Sequence, residues 1–333
     1  MKRYAITAVK FAISIAILTY LFNQAAATNQ FSSLLTSQKN WLWLAFAIFS
    51  CLLAHLIGFL RWQLLVRTIN LPFSFVDSMR IGFIGMFFNL IAFGVIGGDA
   101  LRAFYVAREF KNRKSEAIAS VIADRMIGIL TMFIIASFAF LILDTNSMES
   151  IHPKKLAGVQ WICYFVMTMT GVGIAALAAM FFTPRLHKRA WFRKLLAIPT
   201  LGPILQKILA VISVYRNRPM AVLVGFLLSF LVNLCFAVSI YFVAAGLVND
   251  FPNLPNHFVI EPIAMVSNAV PLPGGLGGME FVLDFLYQAF GSDHGIIVAF
   301  AFRFCLLLVS AIGAFVWFLN RRQVDGLMPG QES

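Results

Sequence analysis

The chain has 333 residues, of which 60% are hydrophobic and 12% charged, and its mean hydropathy is +0.85. Soluble domains carry about 25% charged residues, so this composition excludes a soluble globular enzyme and a disordered chain alike. The net charge of +12 does not by itself point to nucleic acid, because basic excess in membrane proteins collects in cytoplasmic loops.

Long apolar runs occupy residues 5–22, 41–60, 118–143, 159–182, 220–247 and 295–319. Each approaches or exceeds the about 20 residues a helix needs to cross the hydrocarbon core. Two further runs are shorter and broken. Residues 81–96 end in Gly97-Gly98-Asp99, and residues 258–270 end in Pro271-Leu272-Pro273-Gly274-Gly275-Leu276-Gly277-Gly278. As helices they would reach only about 24 and 20 Å, short of a full crossing.

Charge decides how to treat them. If both short runs enter and return as re-entrant hairpins, near 81–107 and 258–291, six full spans remain and both termini are cytoplasmic. Lys and Arg then divide into 20 cytoplasmic, 3 external (Lys39, Lys154, Lys155) and 3 at membrane depth (Arg102, Arg125, Arg303). Letting 81–96 span alone would place Lys111, Arg113, Lys114 and the basic residues of 183–219 outside, against the positive-inside rule. The expected fold is therefore an all-α polytopic membrane protein with six transmembrane helices, two re-entrant hairpins and an N-in/C-in topology. It forms a single domain over 1–320, followed by a short cytoplasmic tail at 321–333. Lys2, Arg3, an apolar stretch and Ala25-Ala26-Ala27 also resemble a cleavable signal, but Lys10 and the length of the run favour a retained helix.

Within the basic loop, Leu201, Ile204, Leu205, Ile208, Leu209, Ile212 and Tyr215 recur at helical spacing. This predicts an amphipathic cytoplasmic helix near 201–216, held by apolar burial and anionic lipid or packed on the bundle as a connector. The four cysteines sit in apolar runs without shared spacing, which fits buried small residues and not a disulfide frame. The histidines form no metal-ligand pattern.

Ionisable residues inside the broken segments carry the functional signal. Asp99, Arg102, Asp124, Arg125, Glu261, Glu280, Asp284 and Arg303 lie in or beside them. Each costs about 2.5–3.5 kcal/mol at a helix centre on insertion scales, so together they must pair, snorkel or face a hydrated cavity. Structural ion pairs are the plain alternative for Asp124 and Arg125. Asp99 with Arg102 beside Gly97-Gly98, and Glu280 beside its glycine run, read as functional. Arg303 either pairs with Glu280 or meets a substrate anion, and its mid-span position favours the cavity. Asn89, Asn233 and Asn268 fit interhelical hydrogen bonding. Glycine-rich tips let backbone N–H groups converge on an anion, and broken helices entering from opposite faces are a transporter pattern.

No GxxxxGK[ST] loop, DxD or acidic first external loop is present, which weighs against an ATP motor or a metal-dependent sugar transferase. No cofactor and no metal are expected.

The chain resembles the transmembrane, flippase-like region of the lysylphosphatidylglycerol synthase family over nearly its whole length. The likeness rests on Arg61-Trp62, on Asn89 with Gly97-Gly98-Asp99-Ala100-Leu101-Arg102, on Asp124-Arg125 and Gly128, and on Pro271, Gly275, Gly277, Glu280 and Arg303. Family members often carry a proline a few residues before Gly-Gly-Asp, where this chain has Phe93. The resemblance implies a lipid-handling protein of the cell (plasma or inner) membrane, with re-entrant helices around a cavity open to lipid. It also implies that this chain, lacking a synthase domain, does not aminoacylate lipid. The candidate substrate-binding residues are Asn89, Gly97, Gly98, Asp99, Arg102, Asp124, Arg125, Pro271, Gly275, Gly277, Glu280 and Arg303.

The expected function is a flippase or transporter that holds a polar headgroup between the hairpins while acyl or prenyl tails stay in lipid. Its expected partners are a membrane lipid substrate, anionic lipid at the basic cytoplasmic loop and a second copy of the chain in a homodimer, with no nucleic acid. Two alternatives stay open: an enzyme of lipid-linked sugar transfer, and a non-transporting scaffold for a lipid-modifying enzyme.

Overall fold

The computed structural model describes residues 16–17, 19–23, 38–91, 95–142, 153–186, 209, 211, 213–267 and 276–319. Among these residues every regular element is helical. The helices are α1 (Trp41–Thr68), α2 (Phe75–Ile91), α3 (Val95–Glu109), α4 (Lys114–Ile142), α5 (Pro153–Leu186), α6 (Pro219–Leu247), α7 (Leu254–Ser267), α8 (Gly278–Ala289) and α9 (Gly295–Leu319), with a 3₁₀ turn at Lys111–Arg113. Residues 19–23 are also helical. The first expected span, 5–22, lies mostly outside the described residues.

Five stretches among the described residues are long and apolar enough to cross a bilayer: Trp41–Thr68, Lys111–Leu141, Gln160–Ala178, Pro219–Leu247 and Gly295–Phe318. They coincide with five of the six expected spans. The remaining helices form two pairs that stay short. α2 and α3 are 17 and 15 residues long, and α7 and α8 are 14 and 12. At 1.5 Å per residue none exceeds about 26 Å. The first pair begins at Phe75, earlier than the apolar run suggests, because Ser74 and Asp77 cap its start. Asp77 Oδ2 accepts from the Ser74 hydroxyl at 2.5 Å and from the Ser74 amide at 3.3 Å, and Ser74 Oγ accepts from the Asp77 amide at 3.1 Å.

α1 and α6 form the central antiparallel pair. Ser50 Oγ donates to the Cys235 carbonyl, and Ser239 Oγ to the Ala47 carbonyl, both at 2.8 Å. The Asn40 amide reaches the Gly246 carbonyl at 3.0 Å. Small residues at the contact (Ala47, Cys51, Ala54, Ala237, Ala244) let the backbones approach, as helix association within lipid requires. The α2–α3 pair leaves from the C-terminal end of α1, whereas α7–α8 leaves from the C-terminal end of α6. Because α1 and α6 are antiparallel, the two broken pairs start from opposite ends of the bundle.

Glycines set how closely these pairs pack. A Cβ on Gly98 would lie 2.0 Å from the Gly85 carbonyl oxygen, so only glycine admits the α2–α3 crossing. A Cβ on Gly313 would lie 2.0 Å from the Phe83 carbonyl oxygen, which seats α9 against α2 in the same way.

The outer surface is apolar, with Phe49, Phe138, Leu141, Trp161, Phe230 and Phe315 exposed, while Arg61, Arg102, Asp124, Glu261, Glu280 and Asp284 are buried. A soluble protein distributes these types the other way round. α5 packs on α4 at the edge of the bundle, where Ser137 and Thr170 share a 2.7 Å hydrogen bond. Of the amphipathic segment near 201–216, only 209, 211 and 213–216 are described. Val211 and Tyr215 are buried in the same apolar cluster as Trp62 and Leu65, and Tyr215 Oη donates to the Leu65 carbonyl at 3.0 Å. This end of the loop is packed on the bundle.

Candidate functional site

Two clusters of buried charge form where the broken pairs meet the long helices. The first joins α1, α3 and α4. Arg61 Nε donates to Asp124 Oδ1 at 2.7 Å, and Arg61 Nη1 donates to Ser229 Oγ at 2.6 Å. Gly128, one turn beyond Asp124, makes room for that guanidinium: a Cβ there would stand 3.2 Å from Arg61 Nη1. Arg125 Nη2 donates to Asp99 Oδ1 at 2.5 Å, and its Nε stands 2.5 Å from Oδ2 as an ion pair. Arg102 lies between the two aspartates, 3.9 Å from Asp99 Oδ1 and 4.0 Å from Asp124 Oδ2.

The partners differ from those that spacing alone suggests. Asp99 and Arg102 are three residues apart on one helix, yet Asp99 turns to Arg125 on α4. The planar guanidinium of Arg125 can engage both carboxylate oxygens, whereas the α3 geometry holds Arg102 too far away for a hydrogen bond. Arg61, which follows the apolar run 41–60, is buried in this cluster. The signal that identifies it is the acid it needs, Asp124, 63 residues away in sequence.

Arg102 is the least satisfied member. Its guanidinium sits 4.8 Å over the Trp62 ring and 5.5 Å from the Phe59 ring centre, a cation–π arrangement. Among the described residues its buried Nε has no hydrogen-bond partner, and neither does the Trp62 indole nitrogen. Three arginines face two aspartates, so the cluster carries one excess positive charge. The Arg125 side chain is 39% exposed and that of Asp99 20%, against 10% for Arg102, so the cluster opens along the Asp99–Arg125 edge.

The α2–α3 tip is tied to this site. The Gly98 amide donates to Asn89 Oδ1 at 2.6 Å, fixing the first turn of α3, where Gly97 also lies. The hydrogen-bonding role expected of Asn89 is thus realised within the hairpin itself.

The second cluster joins α8 and α9. Arg303 Nε donates to Glu280 Oε1 at 2.6 Å, and Arg303 Nη2 reaches Oε2 at 3.2 Å. Glu280 Oε2 also accepts from the Gly277 amide at 2.9 Å. Gly277 has φ +99°, the left-handed region that favours glycine, and it turns the chain into α8. Arg303, expected to favour an open cavity, is therefore engaged by the fully buried Glu280. Pro271, Gly275 and Asn268 lie outside the described residues.

No ion pair joins the two clusters among the described residues. His55 packs edge-on to Phe236 at 5.2 Å, and Phe236 to Phe302, the residue before Arg303, at 6.4 Å. An apolar cavity of about 260 Å³ adjoins the first cluster between α4, α5 and α6, with Met126, Leu130, Phe133, Met169, Leu177 and Phe226 in its wall. Ala123 and Ile127, which also line it, flank Asp124 along α4.

A second polar contact was not signalled by the sequence. His257 Nε2 and the Tyr287 hydroxyl are 2.8 Å apart, and His257 Nδ1 is 2.9 Å from the Asn253 carbonyl. Both side chains are buried, and they pin α7 to α8.

The chain is 25% identical over 270 residues to UPF0104 membrane protein PH1989 of Pyrococcus horikoshii, covering 76% of this chain and 78% of that protein. The family model described as the lysylphosphatidylglycerol synthase TM region matches residues 7–313. With several helices able to cross a bilayer and a match over nearly its full length, the chain is a multi-pass membrane protein that belongs to the lysylphosphatidylglycerol synthase TM-region family.

Proposed function

We propose that the protein is a lipid flippase of the cell membrane, binding a phosphate-bearing headgroup at the Arg61–Asp124–Arg102–Asp99–Arg125 cluster. In this reading α2–α3 and α7–α8 are re-entrant pairs entering from opposite leaflets, with both termini in the cytoplasm. The observation that carries the proposal is the excess positive charge held at Arg102, whose Nε lacks a hydrogen-bond acceptor among the described residues. A buried guanidinium with unmet donors favours an anion strongly, because a partner restores both the charge balance and the hydrogen bonds lost on burial. A phosphate entering by the Asp99–Arg125 edge would take Arg102 as its main partner, with Asn89, Gly97 and Gly98 holding the hairpin tip. The apolar cavity beside Asp124 suits the start of an acyl or prenyl tail.

Glu280 and Arg303, with Gly277, form the corresponding site of the second pair. There Glu280 orients Arg303. Fixed polar partners at two depths lower the cost of passing a headgroup through hydrocarbon.

The test uses purified protein in liposomes carrying headgroup-labelled lipids and a membrane-impermeant quencher. Wild-type protein is expected to bring label from the protected leaflet within reach of the quencher, and Arg102→Ala and Glu280→Gln to lose that activity at normal insertion. Undiminished exchange in both variants would overturn the reading.

A further inference from the structure

Glu261 belongs to neither charge cluster. It lies on α7, is fully buried, and neither carboxyl oxygen has a hydrogen-bond partner among the described residues. The next residue, Pro262, stands inside the helix. Its ring nitrogen carries no hydrogen, so the Phe258 carbonyl loses its helical donor, and the helix is locally weakened beside the acid.

The charged groups buried on the elements packed against α7 are engaged with other partners. α7 packs against α4, α6 and α8. α6 contains no Asp, Glu, Lys, Arg or His; its Tyr241 stacks edge-on against His257 at 5.5 Å, and its Cys235 is a free thiol. On α8, Glu280 is held by Arg303, Asp284 Oδ2 accepts from Gln288 at 2.7 Å, and Tyr287 bonds His257. On α4, Glu116 pairs with Arg113, Asp124 with Arg61 and Arg125 with Asp99. Lys114 begins α4 and is exposed. None of these interactions reaches Glu261.

An ionised carboxylate sealed in this way would have neither counter-ion nor donor. The position accepts only the neutral acid. Ionisation therefore requires α7 to move so that water or a cation reaches the side chain, and Pro262 marks where the helix yields.

We propose that Glu261 is a proton-carrying carboxyl that couples movement of the α7–α8 pair, and with it the lipid headgroup, to a transmembrane proton gradient. The inference rests on the flippase reading. In the sealed state the Glu261 carboxyl keeps its O–H bond; when α7 opens to water, that bond breaks and the proton passes to water, leaving the carboxylate hydrated. Reclosure requires a proton to be taken back from the side then open.

Two measurements separate this inference from the reading on which it rests. The first uses infrared difference spectra of the full chain in lipid nanodiscs between acidic and alkaline buffer. A protonated-carboxyl C=O band is expected in wild type, absent in Glu261→Gln and shifted in Glu261→Asp, which keeps an acid if the glutamine variant fails to fold. The second imposes a pH gradient across liposomes holding a labelled anionic phospholipid. Wild-type protein is expected to skew the label between leaflets, and Glu261→Gln to abolish the skew.

A spectrum unchanged by Glu261→Gln, or an equal skew in variant and wild type, overturns the proton role while leaving the flippase reading intact. Wild-type protein that moves no lipid under any gradient overturns the flippase reading and the coupling with it. In that case the infrared band alone still reports whether Glu261 binds a proton.

Discussion

Arg61 and Asp124 stand 63 residues apart in sequence and 2.7 Å apart in the structure, joined by a charged hydrogen bond between α1 and α4. Removing one partner of a buried pair leaves an uncompensated charge, which typically costs about 3–5 kcal/mol. Arg61→Ala is therefore expected to lower the thermal unfolding midpoint in detergent markedly. Replacing both residues with apolar ones of similar volume should recover much of the loss. A double variant no more stable than Arg61→Ala would show that the pair is not the source of the effect.

Glycine substitutions should separate close packing from helix propensity. Gly98→Ala places a methyl 2.0 Å from the Gly85 carbonyl oxygen and 2.6 Å from Asn89 Oδ1. We expect it to part α2 from α3 and to destabilise by roughly 1–3 kcal/mol, the range for overpacking. Gly58 lies within α1, and among the described residues a Cβ there meets nothing within 4 Å. Gly58→Ala should stabilise by up to about 1 kcal/mol. Chemical denaturation of both variants reads the contrast, and equal effects would contradict the packing account.

The cation–π seat of Arg102 predicts that lysine is a poor substitute. The guanidinium plane lies 4.8 Å from the Trp62 ring centre while reaching toward two aspartates. An ammonium is a point charge with a stronger hydration shell. Arg102→Lys should retain insertion and lose most of the lipid exchange, and Trp62→Leu should weaken exchange less. Full activity of Arg102→Lys in the liposome assay would show that charge alone suffices.

The contact between His257 and Tyr287 serves as a structural control. Tyr287→Phe removes one buried hydrogen bond and is expected to cost about 0.5–1.5 kcal/mol. Exchange measured well below the unfolding midpoint should stay near that of wild type. A large loss of exchange at intact stability would assign this pair a direct part in transport.

Gly277 combines a turn with a site. Its amide donates to Glu280, and its φ of +99° is strained for any residue with a Cβ. Gly277→Ala should destabilise by about 1–2 kcal/mol. By misplacing Glu280, it should also reduce exchange more than its stability loss accounts for, which activity per folded molecule at several temperatures would show.

Local composition was enough to show that the chain is a membrane protein, which helices are long and apolar enough to cross a bilayer, and that two segments are broken. These properties follow from local composition: apolar length against bilayer thickness, and glycine and proline against helix continuity. It also marked Asp99, Arg102, Asp124, Arg125, Glu280 and Arg303, because charge inside apolar sequence is costly wherever it falls. Who pairs with whom depends on the assembled helices. Asp99 takes Arg125 in place of its near neighbour Arg102, Arg61 is drawn into the bundle by Asp124, and Arg303 is engaged by Glu280. Such pairings depend on where the Gly85–Gly98 and Gly313–Phe83 approaches set the helices, and a side chain's partner across a helix interface leaves no trace in the residues beside it. For the same reason the isolation of Glu261 emerged only when every neighbouring helix was in place.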